Sequence, residues 1–360
     1  MRLYTLQSLR GAACLLVVIY HVAAIERGYG LSFSPLRPAL WFGYAGVDLF
    51  FVLSGFIITT TSKDSLGRPT RLPGYLIRRA WRIYPLYWLA LAVGAAGMVA
   101  VLHLPPFATG DLRELLQAFV LLPAPLEPRI VAVSWSLGYE LYFYLVFGCL
   151  YVLPRRLAAP LLAGWAIAVV VAAVAWPFES FAAQFALSPF VLEFLAGCLV
   201  AAVSPALSAS KAGLLAACAA GWCAAASLGF YSMDPTWLPL RLPQRVLTFG
   251  VPAALLLYAC TGRERHSGIR GPRWLERIGD ASYSIYLFHT PGLFLAIIFG
   301  TWVGFSHLRV AHTFWIGMMI AAALVPGLLI HRFVEKPLLS VWRREKPRPA
   351  AEPAPRRIAA

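Results

Sequence analysis

The chain has 360 residues, 60% of them hydrophobic and only 13% charged, with a mean hydropathy of +0.70. Soluble domains carry about 25% charged residues, so the composition excludes a soluble globular fold and points to a polytopic membrane protein. The net charge of +15 does not signal nucleic acid, because the basic residues punctuate the gaps between apolar runs rather than clustering on one amphipathic face.

A window of about 20 apolar residues finds ten candidate spans. The first, Leu6 to Ile25, carries Arg10 near one end and His21 near the other. Eleven helical residues at about 100° each return close to the starting direction, so Arg10, Cys14, Val17 and His21 share one stripe. At about 1.5 Å per residue the two polar groups lie roughly 16 Å apart along the helix. Ionisable residues inside a span usually face a cavity or pathway; the competing reading is a snorkelling arginine and a hydrogen-bonded core histidine. The run lacks an Ala-x-Ala exit and is expected to stay as an anchor.

The second span, Leu40 to Thr60, holds Asp48 and the pair Ser54-Gly55, where the glycine would permit close helix approach. The basic cluster Arg78-Arg79-Ala80-Trp81-Arg82 stands at the mouth of the third span, Arg82 to Leu102. Leu112 to Leu122 is too short to cross and reads as an interfacial or re-entrant helix. The fourth span, Ser134 to Leu153, brings Trp135, Tyr139 and Glu140. Four more runs follow: Ala158 to Trp176, Ser188 to Val203, Ala212 to Phe230 and Val246 to Thr261. The ninth, Ala281 to Trp302, contains His289, and the tenth is Ala311 to Arg332. The six cysteines fall within apolar runs without CxxC or Cys/His spacing, so neither a disulfide framework nor a metal site is expected.

Ten crossings with the N-terminus inside place 24 of the 31 basic residues on the cytoplasmic side. The expected architecture is therefore an all-α bundle of about ten transmembrane helices, both termini cytoplasmic, spanning 1–337. A basic Pro/Ala-rich tail, 338–360, is expected to be disordered and to touch anionic lipid. This topology puts His21, Asp48 and Glu140 towards the outer side, and Arg10, the arginine cluster and His289 towards the inner.

Two constellations carry chemistry. Imidazole titrates near neutral pH, so His21 suits a general base for an alcohol, oriented by a carboxylate from Glu140 or Asp48 at similar depth. The alternative is a buried ion pair that only sets packing. Arg78, Arg79 and Arg82, with Arg10 opposite, would form a phosphate pocket, since guanidinium binds phosphate bidentately; ordinary positive-inside anchoring looks the same. Trp135, Tyr139, Ser54 and His289 are candidates to line a sugar path, although aromatic belts give the same pattern. The remaining histidines, His331 among them, sit near helix ends and receive no role.

Taken together, these residues resemble the acyltransferase-3 family of integral-membrane O-acyltransferases. Leu9-Arg10-Gly11 with His21 is similar to its Arg-x10-His signature, and Gly46-Val47-Asp48 to Ser54-Gly55-Phe56 matches its second stretch. Arg79-Ala80-Trp81-Arg82 resembles its RxxR stretch and Ser136-Leu137-Gly138-Tyr139-Glu140 its Ser-Leu-x-x-Glu stretch. Ser282-Tyr283-Ser284-Ile285-Tyr286-Leu287-Phe288-His289 and Glu335-Lys336-Pro337 match its late motifs. A single Glu140 stands where many relatives carry two acids. The flavour is that of the bacterial exopolysaccharide-modifying members.

The resemblance implies transfer of an acyl group, acetyl in the first instance, from cytoplasmic acyl-CoA (acetyl-CoA) to a sugar hydroxyl outside the bacterial inner membrane. Arg10, Arg79 and Arg82 would hold the donor phosphates, and His21 would act as base or as transient acyl carrier. No permanently bound cofactor is implied, and polysaccharide assembly machinery is a possible partner. The rival class is a flippase or exporter subunit, against which no inverted repeat or pair of broken helices is found.

Overall fold

Every one of the ten apolar runs becomes a helix, and the reason is the membrane: with no water to satisfy backbone N–H and C=O groups, they must pair within the segment. The computed structural model describes residues 3–28, 42–101, 103, 112–122, 130–175, 180–203, 207–230, 242–268, 270–303 and 312–344. No strand occurs among the described residues. The helices are α1 (Tyr4–Gly28), α2 (Gly46–Ser62), α3 (Leu72–Ala100), α4 (Leu112–Val120), α5 (Ser134–Cys149), α6 (Ala158–Ala175), the short α7 (Phe181–Ala186) and α8 (Phe190–Val203). Then come α9 (Ala209–Phe230), α10 (Val251–Ser267), α11 (Arg273–Asp280), α12 (Ser282–Val303), α13 (His312–Ile330) and α14 (Lys336–Arg344). Among the described residues eight helical stretches are long and apolar enough to cross a membrane. The fourth predicted span is represented by α5, a helix of only 16 residues.

Two boundaries differ from the sequence expectation. The third helix begins at Leu72, ten residues before the expected Arg82, because Pro73 opens it at a position where a missing N–H costs nothing. Arg79 and Arg82 therefore lie inside α3, on one helical face, rather than in a loop. At the other end, the helical run passes through a π-helical turn, His331–Glu335, and continues as α14 to Arg344, beyond the expected domain end at 337. The indole of Trp81 donates to Leu338 O (3.4 Å), tying this helix to α3. The expectation of disorder for the rest of the tail, 345–360, lies outside the described residues. The helix α4 packs on α3 as an accessory piece, with Trp88 Nε1 donating to Phe119 O (2.9 Å) and the two rings stacked.

α1 and α12 organise the centre. Cys14 Sγ faces Ser282 O, and His21 faces His289; both pairs are 268 residues apart, so the two helices run in the same direction and in register. The start of α1 is held by the Glu264 carboxylate, which accepts from the backbone N–H groups of Tyr4 (2.8 Å) and Thr5 (2.9 Å) and from the Thr5 hydroxyl. An anion at a helix N-terminus satisfies orphan donors and suits the dipole.

Helix α2 lies against α8 at backbone contact. A Cβ added at Gly55 would fall 1.9 Å from Phe194 O, and one at Gly197 would fall 1.9 Å from Val52 O. Small residues are what allow membrane helices to approach this closely, as expected for Gly55. Valine at either position should force the pair apart. We expect a loss of at least the 1–3 kcal/mol typical of overpacking, on the order of the strain seen in well-packed cores, read as a lowered thermal midpoint in detergent. A midpoint equal to the parent protein would contradict the contact.

Candidate active site

Five helices converge on one cleft. α1 contributes Arg10, α2 Ser54, α3 Arg79 and Arg82, α5 Ser136, Glu140 and Tyr144, while α12 contributes Ser282, Tyr283 and Tyr286. Val47, Phe50, Phe51, Leu53 and Ile57 make its apolar wall. Arg10 donates to Ser282 Oγ through Nη2 (2.8 Å) and Nε (3.2 Å). Arg79 donates to Thr61 Oγ1 (3.1 Å) and lies over the ring of Tyr144 at 4.9 Å. Glu140 accepts from the Tyr144 hydroxyl and from Ser54 (3.3 Å). Three guanidiniums against one carboxylate leave the cleft positive, in a setting of low dielectric. Planar guanidinium forks there can receive phosphate bidentately.

Above the cleft, one turn of α12 beyond Tyr286, two histidines meet. His21 Nδ1 lies 2.9 Å from Val17 O and 3.3 Å from His289 Nε2. His289 Nδ1 lies 2.8 Å from Tyr286 O and 3.2 Å from Ile285 O. The rings of Phe50 and Tyr286 (5.9 Å) and of Tyr286 and His289 (6.0 Å) form the wall between cleft and histidines. Tyr286 is held there by Ser136, hydroxyl to hydroxyl at 2.6 Å.

The expected pairing of His21 with Glu140 or Asp48 does not occur. Similar depth does not fix which way a side chain points: Glu140 turns towards Tyr144 and the arginines, not towards His21. Asp48, with 0% exposure, takes a bidentate pair with Arg245, at 2.9 Å to Nε and 2.8 Å to Nη2. Asp48 is thus an ion-pair partner and no orienter of His21. Nor do Glu140 and the arginines occupy opposite ends as expected; they share one cleft.

Arg10, Arg79 and Arg82 are brought together as expected, but Arg78 is exposed and does not line the cleft, being one residue off the face that Arg79 and Arg82 share. Of the expected sugar-path residues only Ser54 lines it. Trp135 and Tyr139 instead join the aromatic cluster of Phe51, Phe143 and Phe190, where edge-to-face and tilted rings fill the space between α2, α5 and α8. His289 faces His21 rather than the cleft.

Sequence reasoning passed over three groups. Glu193, in the middle of an apolar run, is fully buried beside Asp48 and Arg245, and a lone acid in a span is itself a signal. Arg245 stands at the head of a helix and reads as a loop cation, yet it stacks on Tyr44 and Phe190, both at 5.0 Å. His331 was given no role; its Nδ1 donates to Glu335 Oε2 (2.7 Å), which also accepts from Ser284 (2.6 Å), so the two late motifs meet in the interior.

A family model described as an acyltransferase domain matches residues 3–331. The exopolysaccharide production protein ExoZ of Rhizobium meliloti is 31% identical, over 84% of this chain and 92% of that protein. The acyltransferase MdmB of Streptomyces mycarofaciens is 26% identical over 99% of this chain and 97% of its own length. Nodulation protein 10 of Rhizobium leguminosarum is 28% identical over 81% and 82% respectively. No solved structure matches.

Proposed function

The chain belongs to the integral-membrane acyltransferase family whose domain model spans residues 3–331, and from that premise we propose the reaction and the route of its substrates. It is a membrane O-acyltransferase. In our reading it moves an acyl group, acetyl in the first instance, from cytoplasmic acyl-CoA to a hydroxyl of an extracytoplasmic sugar or polysaccharide. The name of the relative ExoZ, an exopolysaccharide production protein, supports the glycan acceptor. The distribution of basic residues supports a bacterial cytoplasmic membrane with both termini inside. A flippase reading loses its ground with the family membership.

The observation that carries the proposal is the convergence of Arg10, Arg79 and Arg82 in one cleft, a helical turn of α12 below the His21–His289 pair. The arginines hold the donor phosphates. Glu140 fixes Tyr144 and, through that ring, the plane of Arg79. The pantetheine arm then runs past Phe50 and Tyr286 towards His21, an axial distance of about 16 Å from Arg10. His21 takes the proton of the acceptor hydroxyl as its oxygen bonds to the thioester carbonyl carbon. The C–S bond breaks and the coenzyme A thiolate leaves, receiving that proton. Transient transfer through a His21 ring nitrogen gives the same products.

The donor half is tested by acetyl-CoA binding to the purified protein in detergent. A charge-assisted hydrogen bond contributes about 1.5–3 kcal/mol, so Arg79→Ala with Arg82→Ala should weaken the dissociation constant at least tenfold. Wild-type affinity in that double variant removes the phosphate assignment. The acceptor half is tested by mass spectrometry of the surface glycans of a deletion strain, where O-acyl groups should disappear and return on complementation.

A further inference from the structure

The acid expected behind His21 is absent, and another imidazole stands in its place. We propose that His289 is the positioning residue of His21: its Nε2 accepts from the Nδ1–H that the Val17 carbonyl already fixes, which holds the plane of the His21 ring and leaves the His21 Nε2 lone pair for the acceptor hydroxyl. This rests on the assignment of His21 as base made above.

Each proton can be placed from the oxygens around the rings. His289 Nδ1 lies 2.8 Å from Tyr286 O and 3.2 Å from Ile285 O. A carbonyl only accepts, so that nitrogen carries the hydrogen, and in a neutral ring Nε2 is then a bare acceptor. His21 Nδ1 lies 2.9 Å from Val17 O and must also carry hydrogen. The same N–H reaches His289 Nε2 at 3.3 Å, shared between carbonyl and imidazole. The hydrogen bonds therefore run one way, from His21 to His289 to the carbonyls of α12, and His21 Nε2 is left with its lone pair.

The register of α1 and α12 builds this arrangement, since both residues sit on facing stripes of parallel helices. His289 has 0% exposure, so its ring cannot turn to solvent. The carboxylates expected in this role are engaged elsewhere, Asp48 by Arg245 and Glu140 by Tyr144 and Ser54. A neutral orienter has a physical advantage in a membrane: it fixes the base without burying a permanent anion. When His21 takes the proton, its Nδ1–H points at a lone pair, and the cation is stabilised by an acceptor already in position.

The test uses the full chain, with His289→Leu, His289→Gln and His21→Ala compared in membranes of the deletion strain. Transfer of labelled acetyl from acetyl-CoA to the envelope glycan is followed, and 15N-histidine spectra are recorded on the purified proteins. Glutamine offers its amide oxygen close to the position of Nε2; leucine offers nothing. Losing a carboxylate orienter costs a serine protease about 10⁴-fold. For a neutral one we expect about 10²-fold in kcat for His289→Leu, with KM for acetyl-CoA unchanged. The Nδ1–H resonance of His21 should move in that variant while Val17 O keeps the tautomer, and His289→Gln should restore most of both the rate and the resonance position. Equal loss in the leucine and glutamine variants overturns the acceptor role. So does a wild-type rate in His289→Leu beside an inactive His21→Ala. A wild-type rate in His21→Ala overturns the base assignment itself, and this role falls with it.

Discussion

Replacing His21 by alanine should reduce acyl transfer by at least the 10²–10⁴-fold that a positioned base typically supplies, with acetyl-CoA still bound. Among the described residues the groups that would take its place are engaged elsewhere. Glu140 is held by Tyr144 and Ser54 among the guanidiniums, and Asp48 is locked against Arg245. His289 is fully buried behind His21, with its Nδ1 committed to backbone carbonyls. Donor binding should survive, since His21 does not line the cleft that holds the three arginines. The measurement is glycan O-acyl content at equal protein level, paired with acetyl-CoA affinity. Normal O-acylation in the variant would remove His21 from the mechanism. Loss of donor affinity would mean instead that the histidine supports the fold of the cleft. Incubation of the wild type with labelled acetyl-CoA and no acceptor, followed by hydroxylamine, then separates base from carrier, because labelled acyl bound to the protein is captured as the hydroxamate only in the second case.

The helices were legible because a membrane imposes one solution on each long apolar run. Arg79 and Arg82 were legible as a pair because three residues on a helix share a face. What sequence could not supply was azimuth. The ten-helix topology count puts His21, Asp48 and Glu140 towards one side of the bilayer and made them look like partners, whereas Glu140 lies in the cleft of Arg10, Arg79 and Arg82. Each instead rotates towards a different neighbour: His289 268 residues on, Arg245 197 residues on, and Tyr144 four residues on. Contacts between residues so far apart in the chain depend on which helices pack together, and that is settled by features such as the Gly55–Gly197 crossing. The signals that were present were the ionisable groups inside apolar runs. Glu193 and His289 both announce themselves this way, since a polar group in a span needs a partner. The same logic explains why Trp135 and Tyr139 misled: an aromatic residue in a span satisfies its burial by packing, and these two are taken up by a ring cluster.

The second large effect concerns stability. Asp48→Leu should destabilise the protein by about 3–5 kcal/mol, the range found when one partner of a buried pair is removed. The reason is chemical asymmetry: a stranded carboxyl can take up a proton, whereas a guanidinium stays charged under all working conditions. Arg245 is only 7% exposed, its Nη1 already lacks a hydrogen-bond partner, and the rings of Tyr44 and Phe190 cover it. Glu193 lies close by but makes no hydrogen bond to it, so it offsets part of the loss at best. Adding Arg245→Met to Asp48→Leu should recover most of the stability, because an apolar pair of similar volume carries no desolvation cost. Thermal unfolding in detergent reads both effects: a large drop in midpoint for the single variant and a return towards the parent for the double. A single variant as stable as the parent would mean the pair is solvated. A double variant as unstable as the single would mean that Arg245 does more than answer Asp48. The double variant also decides the chemical question left by the sequence. A folded protein without Asp48 that still acylates its glycan assigns this aspartate to the scaffold, and a folded but inactive one returns it to the reaction.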